Sequence, residues 1–269
     1  MTVCDDFDLA EDLLKGFTRS AIRTKVLLSL KDGELSAGDL ERLLGTRAST
    51  ILHAVKDMIE SGTVVRGLRG YTLTNTGRIQ ALMLSRLLSA IVVLENYRDF
   101  WMTHDISAIP DDLLVDIGIL RDGEIVSGDP AAILRTQQIF VSQLISSRNI
   151  YGVSPIIIPE YPTAIDTAVK NGAHVELVLT APIVEIVARD YRDVLENLLK
   201  KENFELYRLD ADVRAAFTVI DSSLSLGLFR LNGGYDVGQD LICTGPGARE
   251  WGMRLFMHHK KMAERVTSI

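Results

Sequence analysis

Apolar residues in the first third of the chain recur at helical spacing. Ile22, Val26, Leu27 and Leu30 form one stripe, as a helix burying one face requires, and the run stops at Lys31-Asp32-Gly33. A second short helix is expected after Ser36, whose hydroxyl suits free helix-start amides; Leu40, Leu43 and Leu44 are its apolar side and Gly45 its end. A third begins after Thr46, another capping type, and runs to Ser61-Gly62. Its Ile51, Leu52, Val55, Met58 and Ile59 fall on one side and are expected to pack on the first two helices. Val64 to Leu73 then reads as two short strand-like runs around a basic, glycine-rich tip, Arg66-Gly67-Leu68-Arg69-Gly70.

From residue 76 to 105 the pattern changes to a long helix that is apolar on more than one side. Leu82, Met83, Leu87, Ile91, Leu94, Tyr97 and Trp101 lie on one side, and Leu84, Leu88, Val92 and Val93 on others. Such a helix must be covered on more than one face. Two readings stay open: the core helix of one large domain, or a helix that meets its copy in a second subunit. Downstream, Pro110 suits the first turn of a short helix, and Gly118 precedes a strand. A helix is expected from Asp129-Pro130 to about Arg148, with Ile133, Ile139, Leu144 and Ile145 buried. Strand-like Tyr151–Ile158, His174–Leu179, Phe204–Leu209, Ala215–Ile220, Ser223–Phe229 and Leu241–Cys243 alternate with helical Pro162–Asn171 and Pro182–Lys201, and Ala248–Val266 closes as a helix. The expected fold is an α+β N-terminal winged helix-turn-helix (14–75), a long linker or dimerisation helix (76–105) and an α/β C-terminal domain (106–269) with a mixed sheet flanked by helices.

Composition changes this picture in one respect. The 269 residues suit about two domains, and 47% apolar with 24% charged residues excludes a disordered or low-complexity chain. The net charge of −7 alone speaks against a protein that coats nucleic acid. Divided along the chain, however, residues 1–15 carry −4, residues 16–80 carry +4 and residues 81–269 carry −7. The helix-turn-helix segment is the one basic part, which makes double-stranded DNA its expected partner. A recognition helix reads bases with its first turns, so Arg47, Ser49, Thr50 and His53 are assigned to the major groove and Lys56 to a phosphate, with Thr46 on the same polar side as a further DNA-binding candidate. Arg66 and Arg69 at the hairpin tip would touch phosphate or the minor groove. Taken singly, each of these residues also fits the solvated face of a surface helix or loop.

Other chemistry is sparse. Cys4 and Cys243 stand apart without zinc or redox spacing, the acidic first twelve residues do not resemble an export signal, and Ile79–Leu94 falls short of a membrane span. A cytoplasmic protein without metal, cofactor or membrane contact is expected. Adjacent His258 and His259 point about 100° apart on a helix and read as surface residues. No nucleophile elbow, phosphate loop or complete dinucleotide fingerprint is present, so no catalytic residue is assigned. A small-molecule site in an α/β sheet lies beyond the carboxyl ends of its strands, which points to Glu160 and Tyr161, to Thr180, and to Arg214 and Tyr235 as partners. Arg214 suits either an anionic effector or a plain salt bridge.

The stretches GVSPIIIPEYP, HVELVLT, KKENFELYRLD, AAFTVIDSSLSLGLF, NGGYD, DLICTG and AREWGMRLF, with HDISAIPDDLLVDIGIL upstream, resemble the methanogenesis and filamentation regulatory proteins, a family of archaeal winged-helix regulators. The resemblance covers nearly the whole chain and implies a cytoplasmic, dimeric transcription regulator whose C-terminal domain senses a ligand or mediates assembly. That domain is similar, more distantly, to half of a phospholipase D fold. Aligned on Asp221, Arg214 and Ala216 stand where that family's histidine nucleophile and lysine belong, which implies loss of phosphodiester cleavage. An enzyme acting on a phosphorylated metabolite, with the winged helix as a protein-interaction module, is the rival reading; a ligand-free architectural protein is a third.

Overall fold

The structure, a computed structural model, describes residues 3–127 and 133–269. The chain divides into two compact units, Met1–Leu88 and Ser89–Ile269.

The first unit opens with a helix that the sequence pattern did not announce, Val3–Thr18 (α1), with Asp5 and Asp6 in its first turn, where they oppose the positive end of the helix dipole. Ala21–Ser29 (α2) follows, capped by Ser20 and extended by a 3-10 turn over Leu30–Asp32. Ala37–Leu44 (α3) starts with a reciprocal cap: the Asp39 amide donates to Ser36 Oγ at 3.1 Å and the Ser36 amide to Asp39 Oδ2 at 3.0 Å. The Ser36 hydrogen bonds pull the Asp39 carboxyl down to about 2. Gly45 ends the helix at φ 60°, a left-handed conformation that favours glycine. Ala48–Glu60 (α4) leads into the antiparallel hairpin Val64–Arg66 (β1) and Tyr71–Leu73 (β2). Val26, Leu27, Leu30, Leu40, Ile51, Val55, Met58, Val64 and Ala81 form the core. Leu43, Leu52 and Ile59, expected inside, are exposed; the inward stripe of α4 runs through Ala54 instead, a narrower contact that smaller side chains fill.

The long helix is shorter than expected. Asn75–Asn96 (α5) has residues in both units and is broken from Arg98–Thr103 (α6) at Tyr97, whose φ of −117° and ψ of 34° leave the helical region. The Tyr97 hydroxyl donates to the Arg121 carbonyl at 3.2 Å, which ties the break to a later loop of the second unit. Ile79, Leu82, Met83, Leu87, Ile91, Val92 and Leu94 of α5 are exposed. By length and composition this 22-residue helix is apolar enough to cross a membrane, with mean hydropathy 1.5 over its most apolar window.

In the second unit, Asp111–Val115 (α7) follows Pro110, and a 3-10 turn over Ile117–Leu120 precedes Glu124–Ser127 (β3). The helix expected from Asp129 is observed as Ile133–Ser146 (α8); its expected start lies outside the described residues. Then come Asn149–Ser154 (β4), Tyr161–Lys170 (α9), His174–Thr180 (β5), Ala181–Asp190 (α10), Arg192–Leu198 (α11), Phe204–Leu209 (β6), Ala215–Ile220 (β7), Leu224–Phe229 (β8), Tyr235–Cys243 (β9), Pro246–Lys260 (α12) and Glu264–Val266 (β10). They build an eight-stranded mixed sheet in the order β10-β6-β5-β4-β7-β8-β9-β3. β4, β5 and β6 are parallel, and the remaining pairings are antiparallel. Two expected helices end early: Tyr191 interrupts 182–201, and the last three-residue strand, the edge strand β10, replaces the end of 248–266, where Arg265 pairs with Tyr207 of β6.

Each sheet face is covered differently. On one face Phe217, Val219, Leu224, Leu226 and Leu228 meet Trp251, Leu255 and Phe256 of α12 in the main core. Gly252 makes this approach possible, since a Cβ there would stand 2.7 Å from Val219 Cγ2. On the other face Ile150, Phe204, Leu206 and Ile220 pack with Ile165, Val169, Leu195 and Leu198.

His259, expected on the surface, is buried, and its Nε2 lies 3.0 Å from the Ala108 carbonyl. Burial, with His258 alongside, pushes its imidazole down from 6.5 to about 4. The folded chain therefore refuses a proton that the unfolded chain accepts, and stability rises with pH across that interval. His259→Leu should flatten the dependence of Tm on pH between about 4 and 6.5; an unchanged slope would show that this ring does not carry it.

Candidate functional site

In the first unit the exposed side of α4 carries the polar positions. Arg47, Ser49, Thr50, His53 and Lys56 are exposed, while Ile51, Ala54, Val55 and Met58 are buried beneath them. Thr46 does not cap the helix: its hydroxyl donates to the Leu44 carbonyl at 3.3 Å, and Arg47 takes the cap position. The free amide of Ala48 goes instead to Glu41 Oε1 of α3, at 3.2 Å, which fixes the turn between the two helices. Asp57 takes an ion pair from Arg23 and lies 3.4 Å from His53 Nδ1. Lys56 lies 4.0 Å from Glu60. Among the described residues, Arg47 and Arg66 show no ion pair.

The hairpin tip is held from below. Glu34 Oε1 accepts the amides of Arg69 and of Gly70, the latter at 2.6 Å, and Leu35 bridges to Tyr71. A Cβ on Gly70 would fall 2.2 Å from the Leu35 carbonyl oxygen, so this glycine is required by the approach of the tip to residues 34 and 35. Arg66, Leu68 and Arg69 project outward, with Leu68 fully exposed.

In the second unit a cavity of about 390 Å³ opens on the sheet face opposite α12. Its origin is the alternation in β7 and β8. Facing α12 are Phe217, Val219, Leu224, Leu226 and Leu228; facing the other way are Ala216, Thr218, Ser225 and Gly227. Gly152 of β4 adjoins Thr218, so small side chains meet across three strands and leave a hollow. Helical residues including Phe140, Ile165, Ile183 and Leu195 wall it, with Leu177, Leu206 and Ile242 of the sheet.

Two of the residues expected in a ligand site, Tyr161 and Tyr235, line this cavity. Tyr161 packs on Phe140 at 5.6 Å between ring centres. Burial, then the nearby Asp240 charge, raises both phenols above their ordinary value. Glu160, Thr180 and Arg214 are not among the lining residues. Glu160 is exposed at the start of α9, Thr180 is buried at the start of α10, and Arg214 pairs with Asp212 and lies 5.6 Å over the Phe229 ring.

The polar residue that sequence reading missed is Asp240. Its Oδ1 accepts from the Tyr235 hydroxyl at 3.4 Å, and burial pushes its carboxyl up to about 6, with the Asp236 charge adding and the tyrosine bond opposing. A Cβ on Gly227 would stand 2.1 Å from Tyr235 Oη and 2.4 Å from Asp240 Oδ1, so the bare backbone there makes room for the pair. Neighbouring Asp236 is fully engaged: it accepts from Arg230 Nε at 2.9 Å and from the Gly238 amide at 3.0 Å, and lies 3.2 Å from His104 Nε2. Only the fold brings residues 104 and 236 together; the period of small residues in AAFTVIDSSLSLGLF was the readable sign of the hollow itself.

Asp221, aligned with the phospholipase aspartate, serves the backbone: it accepts the Asn149 amide at 3.2 Å and Asn149 Nδ2 at 2.8 Å, and so holds the start of β4. Among the described residues no cluster of three or more metal-ligating side chains is present.

The models of the N-terminal and middle domains of the methanogenesis regulatory protein FilR1 match residues 11–92 and 133–262. The methanogenesis regulatory protein FilR1 of Methanothrix harundinacea is 36% identical over 97% of this chain, which spans 59% of that relative's length. Among solved structures, TrmBL2, an archaeal chromatin protein whose structure shows a novel mode of DNA binding, aligns over 96% of this chain and 98% of its own at 14% identity and TM-score 0.43. Nuc from Salmonella typhimurium, a phospholipase D family member, covers 54% of this chain and 99% of its own at 14% identity and TM-score 0.42. Scores of this size do not establish a shared fold. The two domain matches and the 36% identity along nearly the full chain do establish the family: the chain belongs to the FilR1 methanogenesis regulatory proteins.

Proposed function

We propose that this protein is a homodimeric, sequence-specific DNA-binding transcription regulator that acts in the cytoplasm. Residues 14–75 are its winged helix-turn-helix, 76–105 its linker and dimerisation segment, and 106–269 its effector domain. The observation that carries the reading is the exposed polar side of α4 followed by the basic hairpin, in the one segment of net positive charge. Arg47, Ser49, Thr50 and His53 would face base edges, with Thr46 beside them, while Lys56, Arg66 and Arg69 would meet phosphate or the minor groove. Arg47, Arg66 and Arg69, which show no ion pair among the described residues, should contribute most, because a cation without a carboxylate partner releases counterions without first breaking an ion pair. The exposed apolar side of α5 supports pairing of two copies, and two recognition helices about 34 Å apart would suit a palindromic site. An effector bound in the C-terminal unit would act by favouring one arrangement of the paired helices, which requires unequal affinity for the two states.

A band-shift titration against DNA upstream of the protein's own gene, over several salt concentrations, tests the DNA reading; binding no stronger than to a random duplex at low salt would refute it. Arg47→Ala and Arg66→Ala should each weaken binding and lower the log–log salt slope by about one. A slope that does not move would take that arginine out of the interface. For the dimer, light scattering should give twice the chain mass for the native protein and the single mass for Leu87→Glu/Ile91→Glu with its helical content retained. A native monomer, or a charged variant that remains dimeric, would contradict pairing through this helix.

A further inference from the structure

We propose that the cavity on the sheet face opposite α12 binds a small apolar molecule carrying a protonated amine, with the Asp240 carboxylate as its anchor and the Tyr235 hydroxyl beside it. The site deepens the reading of this unit as an effector domain and rests on that reading for its regulatory consequence.

Size and lining select the body of the ligand. About 390 Å³ lies within the range of small-molecule sites, and most of the wall is aliphatic or aromatic. The charge on the wall selects its head. Among the described residues, Asp240 is the one charged lining residue, and no lysine, arginine or histidine joins it there. A phosphate or carboxylate would face a carboxylate with no cation to offset it. An ammonium group would instead supply the charge that the acid lacks.

The two acids of β9 make the contrast within one strand. Asp236 has a guanidinium, a backbone amide and an imidazole around it, and its carboxyl sits below the ordinary range. Asp240 has the Tyr235 hydroxyl at a long 3.4 Å, and its carboxyl sits at about 6. Asp240 is half-buried, and with that long hydrogen bond its carboxylate keeps acceptor sites open to a cationic group. Gly227 shows that the pair is accommodated by the backbone beneath it, since any side chain at that position would collide with both groups.

The test titrates the full chain with cyclohexylmethylamine and, separately, with cyclohexanecarboxylate at about pH 7.5, where Asp240 is ionised, following binding by calorimetry or ligand-observed NMR. The two probes share the apolar ring and differ in the sign of the head group. The amine should bind at about 1 mM or below and about tenfold or more tighter than the carboxylate. Asp240→Asn should reduce that preference to less than about twofold while its circular dichroism matches the native protein. Equal binding, preference for the carboxylate, no binding of either probe, or a preference that survives in folded Asp240→Asn would overturn the assignment. The contrast is read on the unaltered chain first, so it stands whether or not the variant folds. Band shifts run in parallel separate the two readings: failure to bind duplex with amine binding intact refutes the DNA reading alone, and the converse refutes the cavity assignment alone.

Discussion

The alternation of large and small side chains along β7 and β8 is the constraint on which the C-terminal unit depends. A strand sends successive side chains to opposite faces, so a sequence alternating Phe, Val and Leu with Ala, Thr, Ser and Gly builds a sheet with one full face and one hollow face. The full face accepts α12, whose Gly252 lies against Val219 and Leu224. On the hollow face the flanking strands β5 and β6 present Leu177 and Leu206, and the helices rest on those outer residues and span the middle. Cavity and core are thus two outcomes of one pattern. A sheet with large residues at 216, 218 and 225 would bury more apolar surface and leave less of the cavity.

The N-terminal unit uses polarity in the opposite sense. Its core is closed by a narrow inward stripe on α4, and the outward side of α4 carries Arg47, Ser49, Thr50, His53 and Lys56, with Leu52 and Ile59 also exposed. Local charge is finely distributed there. Asp57, Asp39 and Glu34 engage Arg23, Arg42 and the hairpin amides, while Arg47, Arg66 and Arg69 show no ion pair among the described residues. A net charge of +4 over residues 16–80 therefore understates how unequally those cations are available.

Much of this was legible because it is local. The Ser36 cap, the Gly45 stop, the hairpin, and the strands Phe204–Leu209 and Ala215–Ile220 follow from short-range chemistry that one segment carries by itself. The failures are tertiary. Nothing within 76–105 marks Tyr97 as a break, because its hydroxyl partner lies at residue 121. The last strand depends on pairing with β6, and the burial of His259 depends on the segment around Ala108. The expected ligand residues were drawn from strand ends; Tyr161 and Tyr235 line the cavity, while the Asp240 acid and the small-residue floor lie along the strands themselves. That floor was written in the alternation of 215–229, which shows only when the two faces are read separately.

Thermal unfolding of Ser225→Val tests most directly whether the hollow is open space created by that alternation. Ser225 sits on the cavity floor opposite Thr218, and valine favours a strand while adding apolar bulk. The account predicts a rise in Tm of the C-terminal unit of about 1–3 °C, as filling an apolar void stabilises a fold. A fall in Tm, as overpacking of a filled core produces, would contradict it.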